Sequence, residues 1–537
     1  MRRARLTAPS ADWIAAAVIA AAALAAYYNA LRNGFAYDDV VLIPNDPRVR
    51  EARIWEILRT SYWGNPEFSL YRPLTTLSFA ANWALAGDRA AWFHAFNIAL
   101  HAGVSALLFV LLRTWYTTAA ALLGAVVFAL HPVHVEAVAN VVGRAELLAA
   151  LFYLAACVIW LRAREDSRAG RLIAVPLLFA LGLVSKESAA TLPAILLVFD
   201  AASGRFSGVK AWLRTRGTAY VVLALVLVAY LALRHAIVGG LSPNRLDPII
   251  EVVTSPADRI ITALQAWPVY LRLFLYPRVL LADYGPRILM PIEQWNVLAV
   301  AGLALAGGTV VGGLLALRAK HERTAVGLLW FPITILPVSN LIIPIGVIAA
   351  ERVAYVPSVA LSFAVAGAAS LVMTASRPVR IAATAAAAMV LALFAVRVRT
   401  RIPDWQSTNS IMEALIRDRP DAFRANWHHA RLANVRGQPL EALRYYENAF
   451  RAWPFRERLV LEYTSVAAQQ NPAYALRIAL YGAERWPQSI EFQRLVASTA
   501  LDSGDTLTAT SAIRRGLEMQ PDDDLLNRMN SAIGGRQ

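Results

Sequence analysis

The chain has 537 residues, of which 58% are hydrophobic and only 17% charged, with a mean hydropathy of +0.46. Soluble domains carry about 25% charged residues, so this composition excludes a soluble globular protein and calls for an integral membrane one. The formal charge of +15 would suit a nucleic-acid binder, but the basic residues lie between apolar runs rather than along one stripe, which fits cytoplasmic loops and lipid headgroups.

In chain order, Met1-Arg2-Arg3-Ala4-Arg5 precedes a first apolar run from Trp13 to Leu31, longer than a signal-peptide core and read as an uncleaved first span. Residues 32–72 are polar and aromatic, and Pro44, Pro47, Pro66 and Pro73 break helices there. Leu74–Ala86 is short and amphipathic, as an interfacial helix would be. Further spans are expected near 92–112, 118–131, 145–162, 171–185, 187–201, 218–236, 295–317, 325–345, 356–374 and 379–397, about eleven in all by the roughly 20-residue criterion. The single cysteine, Cys157, sits inside one of these runs, which excludes an internal disulfide and thiolate-built metal clusters.

Orientation follows from the short basic loops. Arg162, Arg164, Arg168 and Arg171 share one, Lys210, Arg214 and Arg216 a second, Arg318, Lys320 and Arg323 a third, and Arg377 and Arg380 a fourth. A cytoplasmic N-terminus and eleven spans put all four inside. The same count places residues 32–91, 132–144, the turn at Lys186, the loop 237–294 and the C-terminus outside, although Arg397, Arg399 and Arg401 then fall on the less favoured side. Beyond Pro403 the apolar runs stop. Pro420, Pro454, Pro487 and Pro521 recur at intervals of 34, 33 and 34 residues. Gly437, Ala442, Tyr446 and Ala449 occupy the spacing of a tetratricopeptide hairpin, Gly504, Ala509 and Gly516 repeat it, and Ala475, Ala479 and Ala483 form a weaker middle unit. The expected fold is therefore all-α, a polytopic membrane domain over 1–402 followed by about three helical repeats over 403–537.

The chemistry-bearing residues gather at the outer ends of spans. Asp38 and Asp39 are adjacent carboxylates just past the first span, suited to a general base or a cation clamp, or else two ordinary acids in a solvated loop. His131, His134 and Glu136 carry metal-ligand types, but Pro132 disrupts the spacing and the order is not His-Glu-x-x-His, so no metal is assigned and a positioning role is preferred. Arg144, beside Glu146, offers a fixed guanidinium for a carboxylate or phosphate, or a loop-stabilising ion pair with a glutamate. Lys186-Glu187 interrupts an apolar stretch, Glu351-Arg352 and Tyr355 do the same later, and Arg72 adds another cation. Several cations among carboxylates at one membrane face suit an anionic lipid headgroup opposite a polar acceptor. No phosphate-binding glycine loop or serine-hydrolase elbow is present.

Tyr37-Asp38-Asp39, Tyr71-Arg72-Pro73-Leu74, His131-Pro132-Val133-His134-Val135-Glu136-Ala137-Val138, Gly143-Arg144-Ala145-Glu146-Leu147-Leu148-Ala149, Ser185-Lys186-Glu187 and Ala350-Glu351-Arg352-Val353-Ala354-Tyr355-Val356-Pro357-Ser358, taken with the C-terminal repeats, resemble the TMTC family of transmembrane and tetratricopeptide-repeat O-mannosyltransferases. The resemblance implies a GT-C glycosyltransferase that takes mannose or another hexose from a polyprenyl-phosphate donor at the outer face of the inner or plasma membrane. The acceptor would be a protein or glycan hydroxyl, recruited by the repeats, with inversion at the sugar C1. It implies Asp38 or Asp39 as base, and no metal or other cofactor is required. Arg72, Arg144, Lys186 and Arg352 would meet the donor phosphate. His131, His134, Glu136, Glu146, Glu187, Glu351 and Tyr355 would shape the pocket. The competing expectation is a non-catalytic membrane anchor that displays the repeats as a scaffold for envelope proteins. A transporter is disfavoured, because no matching pair of Gly/Pro-broken spans marks an inverted repeat.

Overall fold

The computed structural model describes residues 9–65, 69–162, 169–204, 209–240, 248–253 and 255–534. The N-terminal basic cluster Met1–Arg5, Pro66, Arg164 and Arg168, and part of the expected outer loop (241–247 and 254) lie outside the described residues. The chain divides into two units. The first comprises Met1–Tyr284 and Pro291–Ile411, the second Gly285–Met290 and Met412–Gln537.

The first unit is a helical membrane protein. Among the described residues six helices are long and apolar enough to cross a bilayer: Asp12–Arg32, Ala90–Leu112, Val141–Arg162, Val209–Val238, Val297–Arg318 and Arg377–Trp405. A seventh crossing is formed if Thr118–Leu130 and Pro132–Ala139, bent by 46° at the His131-Pro132 break, count as one. Proline at the hinge removes a backbone donor and clashes with the preceding turn, which is why the apolar run turns there.

Several other expected spans are shorter than a bilayer crossing. Gly170–Ser185 and Val359–Val372 are apolar but short. The stretch 187–201 opens as a tight 3-10 turn, Glu187–Thr191, before the helix Leu192–Ala202. The run 325–345 is helical only within Glu322–Ile335 and continues to Val338 as a 3-10 turn. Beyond it Asn340 adopts φ 59°, and Pro344 and Gly346 follow. Hydropathy alone does not register such breaks.

Enclosure ranks the helices. In Val141–Arg162, 72% of the apolar window is buried within the protein, against 17% in Val297–Arg318 and 0% in Arg377–Trp405. The first is the centre of the bundle. The last two present leucine and valine outward, as helices that face lipid do.

The second unit is a stack of helical hairpins. Phe423–Val435 pairs with Pro439–Ala452, Glu457–Ala468 with Pro472–Arg485, and Ile490–Ser503 with Thr506–Met519, and Asp524–Gly534 follows. Pro454, Pro487 and Pro521 each fall two residues past the end of a second helix. Those helices close alike: Trp453, Trp486 and Gln520 donate their backbone N–H groups to the carbonyls of Ala449, Gly482 and Gly516 at 2.9, 2.8 and 2.9 Å. Gly482, rather than Ala483, takes the close-packed place in the middle repeat, where a β-carbon would overlap the Phe492 ring. Gly516 stands equally tight against Leu526.

Candidate active site

The loop after the first span is fixed before its carboxylates appear. Asn33 donates to the Ile402 carbonyl at 3.0 Å, Gly34 N–H to Gln406 at 3.1 Å, and Tyr37 N–H to Thr408 Oγ1 at 2.9 Å. Tyr37 is held at φ 55°, ψ −118°, a costly conformation for a residue with a side chain, immediately before Asp38. Asp38 and Asp39 then open the short helix Asp38–Leu42, where the dipole favours negative charge.

The two acids have different surroundings. Asp39 is 0% exposed and accepts three backbone N–H groups, from Ala36 at 3.3 Å, Val141 at 3.2 Å and Val142 at 2.8 Å. Burial pushes its carboxyl up to about 7, against the lowering effect of those three donors. Asp38 is partly exposed, and its charge bears on Arg352.

Three long-range ion pairs join the other charged candidates. Arg72, immediately before the helix Pro73–Ala86, gives its Nε and Nη2 to Glu187 at 2.9 and 2.5 Å. Lys186 pairs with Glu146, and Arg352 pairs with Glu136 through Nη1 while its backbone N–H donates to the same carboxylate at 2.8 Å. Lys186 has extended geometry, φ −159° and ψ 137°, between the helix Val175–Ser185 and the turn at Glu187. Successive side chains of an extended segment point to opposite sides, so Lys186 reaches Glu146 while Glu187 reaches Arg72. Burial lowers the Lys186 ammonium, with Glu146 opposing it. Burial would raise Glu187, but Arg72 and then Lys186 hold it well below the usual carboxylate range.

The four cations expected to meet a phosphate are unequal. The Arg352 and Arg72 side chains are 22% and 13% exposed, Lys186 5%, and Arg144 is fully buried. Arg72 commits Nε and Nη2 to Glu187 and Arg352 commits Nη1 to Glu136, whereas Arg144 spends its donors on neutral groups. Its Nε donates to Asn97 Oδ1 at 2.9 Å, Nη1 to the Ser78 carbonyl at 3.1 Å, and Nη2 to Asn82 Oδ1 at 2.9 Å and the Phe93 carbonyl at 3.1 Å. The rings of Phe96, Phe79 and Phe93 stand 4.6, 4.8 and 5.5 Å from its guanidinium carbon. These hydrogen-bond partners are neutral, not the glutamate an ion pair would need.

The remaining sequence candidates hold the frame. His131 accepts the Val133 N–H on Nδ1 and gives Nε2–H to the Phe274 carbonyl at 3.0 Å. His134 pairs with the Phe128 carbonyl and Ser358 Oγ, both at 2.9 Å. The Tyr355 hydroxyl meets His101 Nδ1 at 2.7 Å. Glu351 accepts Leu281 N–H at 2.5 Å and the Tyr284 hydroxyl at 3.0 Å, and burial pushes it up to about 8. Among the described residues no group of three His, Cys, Asp or Glu side chains could hold a metal ion.

Three features of this region are absent from the sequence reading. Asn97, the anchor of Arg144, could have been flagged as a polar residue inside an apolar span. Asp46 and Arg48 form a buried clamp in which Arg48 also donates to Thr60 Oγ1 at 2.7 Å and to the carbonyls of Ser61 and Tyr62 at 2.7 and 3.0 Å. Tyr62 itself lies under Arg72, its ring centroid 5.2 Å from the guanidinium carbon. Nothing in the sequence marks Tyr62 apart from other loop aromatics.

Residues 73–233 match the family described as dolichyl-phosphate-mannose-protein mannosyltransferase. Among curated proteins, the chain is 26% identical to Protein O-mannosyl-transferase TMTC3 of Mus musculus over 81% of its own length and 50% of that protein. It is 28% identical to Protein O-mannosyl-transferase TMTC4 of Homo sapiens, covering 80% and 65% of the two chains. It is 35% identical to Protein O-mannosyl-transferase Tmtc2 of Drosophila melanogaster, covering 53% and 32%. The chain spans about half the length of the curated relatives it matches.

Proposed function

We propose that the chain, which is similar to TMTC proteins, is a membrane glycosyltransferase. It moves mannose or a related hexose from a polyprenyl-phosphate carrier to a protein hydroxyl at the outer membrane face. The supporting observation is the contrast on the first loop: Asp39 is buried on three backbone N–H groups, while Asp38 is partly exposed and acts on Arg352.

Asp38 takes the proton of the acceptor hydroxyl as that oxygen attacks the sugar C1. The bond from C1 to the phosphate oxygen breaks, the electron pair leaves with the polyprenyl phosphate, and C1 inverts. A positioned carboxylate base contributes about 10²–10⁴-fold. Arg72 and Arg352, each already oriented by a carboxylate and partly exposed, receive the phosphate as its charge grows. Lys186 and Arg144 are too enclosed for that role; they hold Glu146 and the Ser78–Phe93 region in place. The hairpin repeats present the acceptor.

The test is transfer of radiolabelled mannose from polyprenyl-phosphate mannose by purified protein, with a membrane extract as acceptor. Loss of transfer in Asp38→Asn, with a folded protein, supports the assignment. Transfer undiminished in Asp38→Asn overturns it. No transfer by folded wild type from any of several polyprenyl sugars would return the chain to the scaffold reading.

A further inference from the structure

Tyr62 is 4% exposed, and among the described residues its hydroxyl has no hydrogen-bond partner. Leaving a buried hydroxyl unpaired costs free energy, so an orphan of this kind calls for an explanation. The residue is not loosely placed. Its backbone N–H donates to the Leu70 carbonyl at 2.7 Å, its carbonyl is gripped by Arg48, and its ring packs in a cluster with Leu42, Val49, Phe79 and Phe93. The charges that bear on the phenol, Arg72 first and then Asp38, Asp39 and Arg352, are those of the proposed reaction centre. Burial raises the phenol, so it keeps its proton and can only donate to an anion.

We infer that Tyr62 is a donor-binding residue whose hydroxyl gives a hydrogen bond to a phosphate oxygen of the lipid-linked sugar, alongside Arg72. The inference rests on the proposed function, since it takes the bound anion to be the carrier phosphate. The Arg72 guanidinium carbon stands 5.2 Å from the Tyr62 ring centroid, and the proposal sets one phosphate against both groups. The orphan hydroxyl and the guanidinium then have the same partner.

The experiment compares full-length wild type and Tyr62→Phe, which keeps the ring and removes only the hydroxyl. Binding of a polyprenyl monophosphate and of the uncharged polyprenol is measured in detergent, alongside thermal unfolding without ligand. A hydrogen bond to a charged group predicts a Kd for the monophosphate weaker by about ten- to hundredfold, with polyprenol binding unchanged. Because the hydroxyl has no protein partner, Tyr62→Phe should unfold at the wild-type temperature or above it. An unchanged Kd for the monophosphate, an equal loss for polyprenol, or a markedly lowered unfolding temperature would each overturn the inference. Wild type that binds no polyprenyl monophosphate would overturn the donor assignment itself, an outcome separate from a defect confined to Tyr62→Phe.

Discussion

Asp39 Oδ1 takes the Val142 backbone N–H at 2.8 Å and so joins the loop after the first span to the turn that opens the most enclosed of the candidate spans. A carboxylate so engaged has little reach toward a substrate, which separates the two neighbouring acids by experiment. Asp38→Asn should lower transfer by about 10²–10⁴-fold in protein that still folds. Asp39→Asn should instead lower the unfolding temperature, because an amide nitrogen cannot accept those N–H groups. Both are read by a transfer assay and a thermal melt on the same preparations.

Asp39 also sets a pH dependence. Its carboxyl rises from 3.8 to about 7 on folding, so between those values the native protein holds a proton that the unfolded chain has released. That contribution to stability is complete below about pH 4 and is lost as pH rises through about 7. Wild type should therefore lose unfolding temperature over that window more steeply than Asp39→Asn. Parallel curves would contradict the assignment.

The Lys186–Glu146 pair is 5% and 3% exposed. Removing one member strands a buried charge at a cost of about 3–5 kcal/mol, whereas replacing both with apolar groups of similar size is often close to neutral. Lys186→Met and Glu146→Leu should each be less stable than the double variant. A double variant as unstable as the sum of the singles would argue against the pair.

Arg144 should be intolerant even of lysine. An ammonium cannot reproduce a planar fork that reaches Asn97, Asn82 and two backbone carbonyls between three phenylalanine rings. Arg144→Lys should cost about 2–3 kcal/mol of stability in a denaturation series. Its residual transfer, measured on the folded fraction, should stay closer to wild type than that of Arg72→Ala.

The neighbouring Gly143 should be equally strict. A β-carbon there would overlap the Ala137 carbonyl, so Gly143→Ala must push the Glu136 and Arg144 segments apart. The expected cost is about 3 kcal/mol, the upper end of overpacking penalties. The yield of monodisperse protein reports it.

The sequence was informative about residue types and breaks, and much less so about partners. The membrane character, the helical class and the interruption at Lys186-Glu187 follow from composition and hydropathy, and all are present. Which cation meets which carboxylate does not, because the pairs join residues 40, 115 and 216 apart, and no periodicity carries information over such distances. Arg144 shows the same limit. A nearby glutamate made an ion pair the natural alternative, yet the helix Ala90–Leu112 brings Asn97 to it instead. The segment after Ile335 read as membrane-spanning because its residues are apolar, although Pro337, Pro344 and the left-handed Asn340 deny it a helix.

The extended backbone at Lys186 gives the site a parity. Two ionic contacts of unrelated chain segments, one with Glu146 and one with Arg72, are kept apart by a single peptide unit whose alternation decides which side each charge takes. Inserting one residue between Lys186 and Glu187 would rotate the acid away from Arg72 and leave that guanidinium uncompensated. The length of this turn is therefore as much a part of the ion-pair arrangement as the charges it carries.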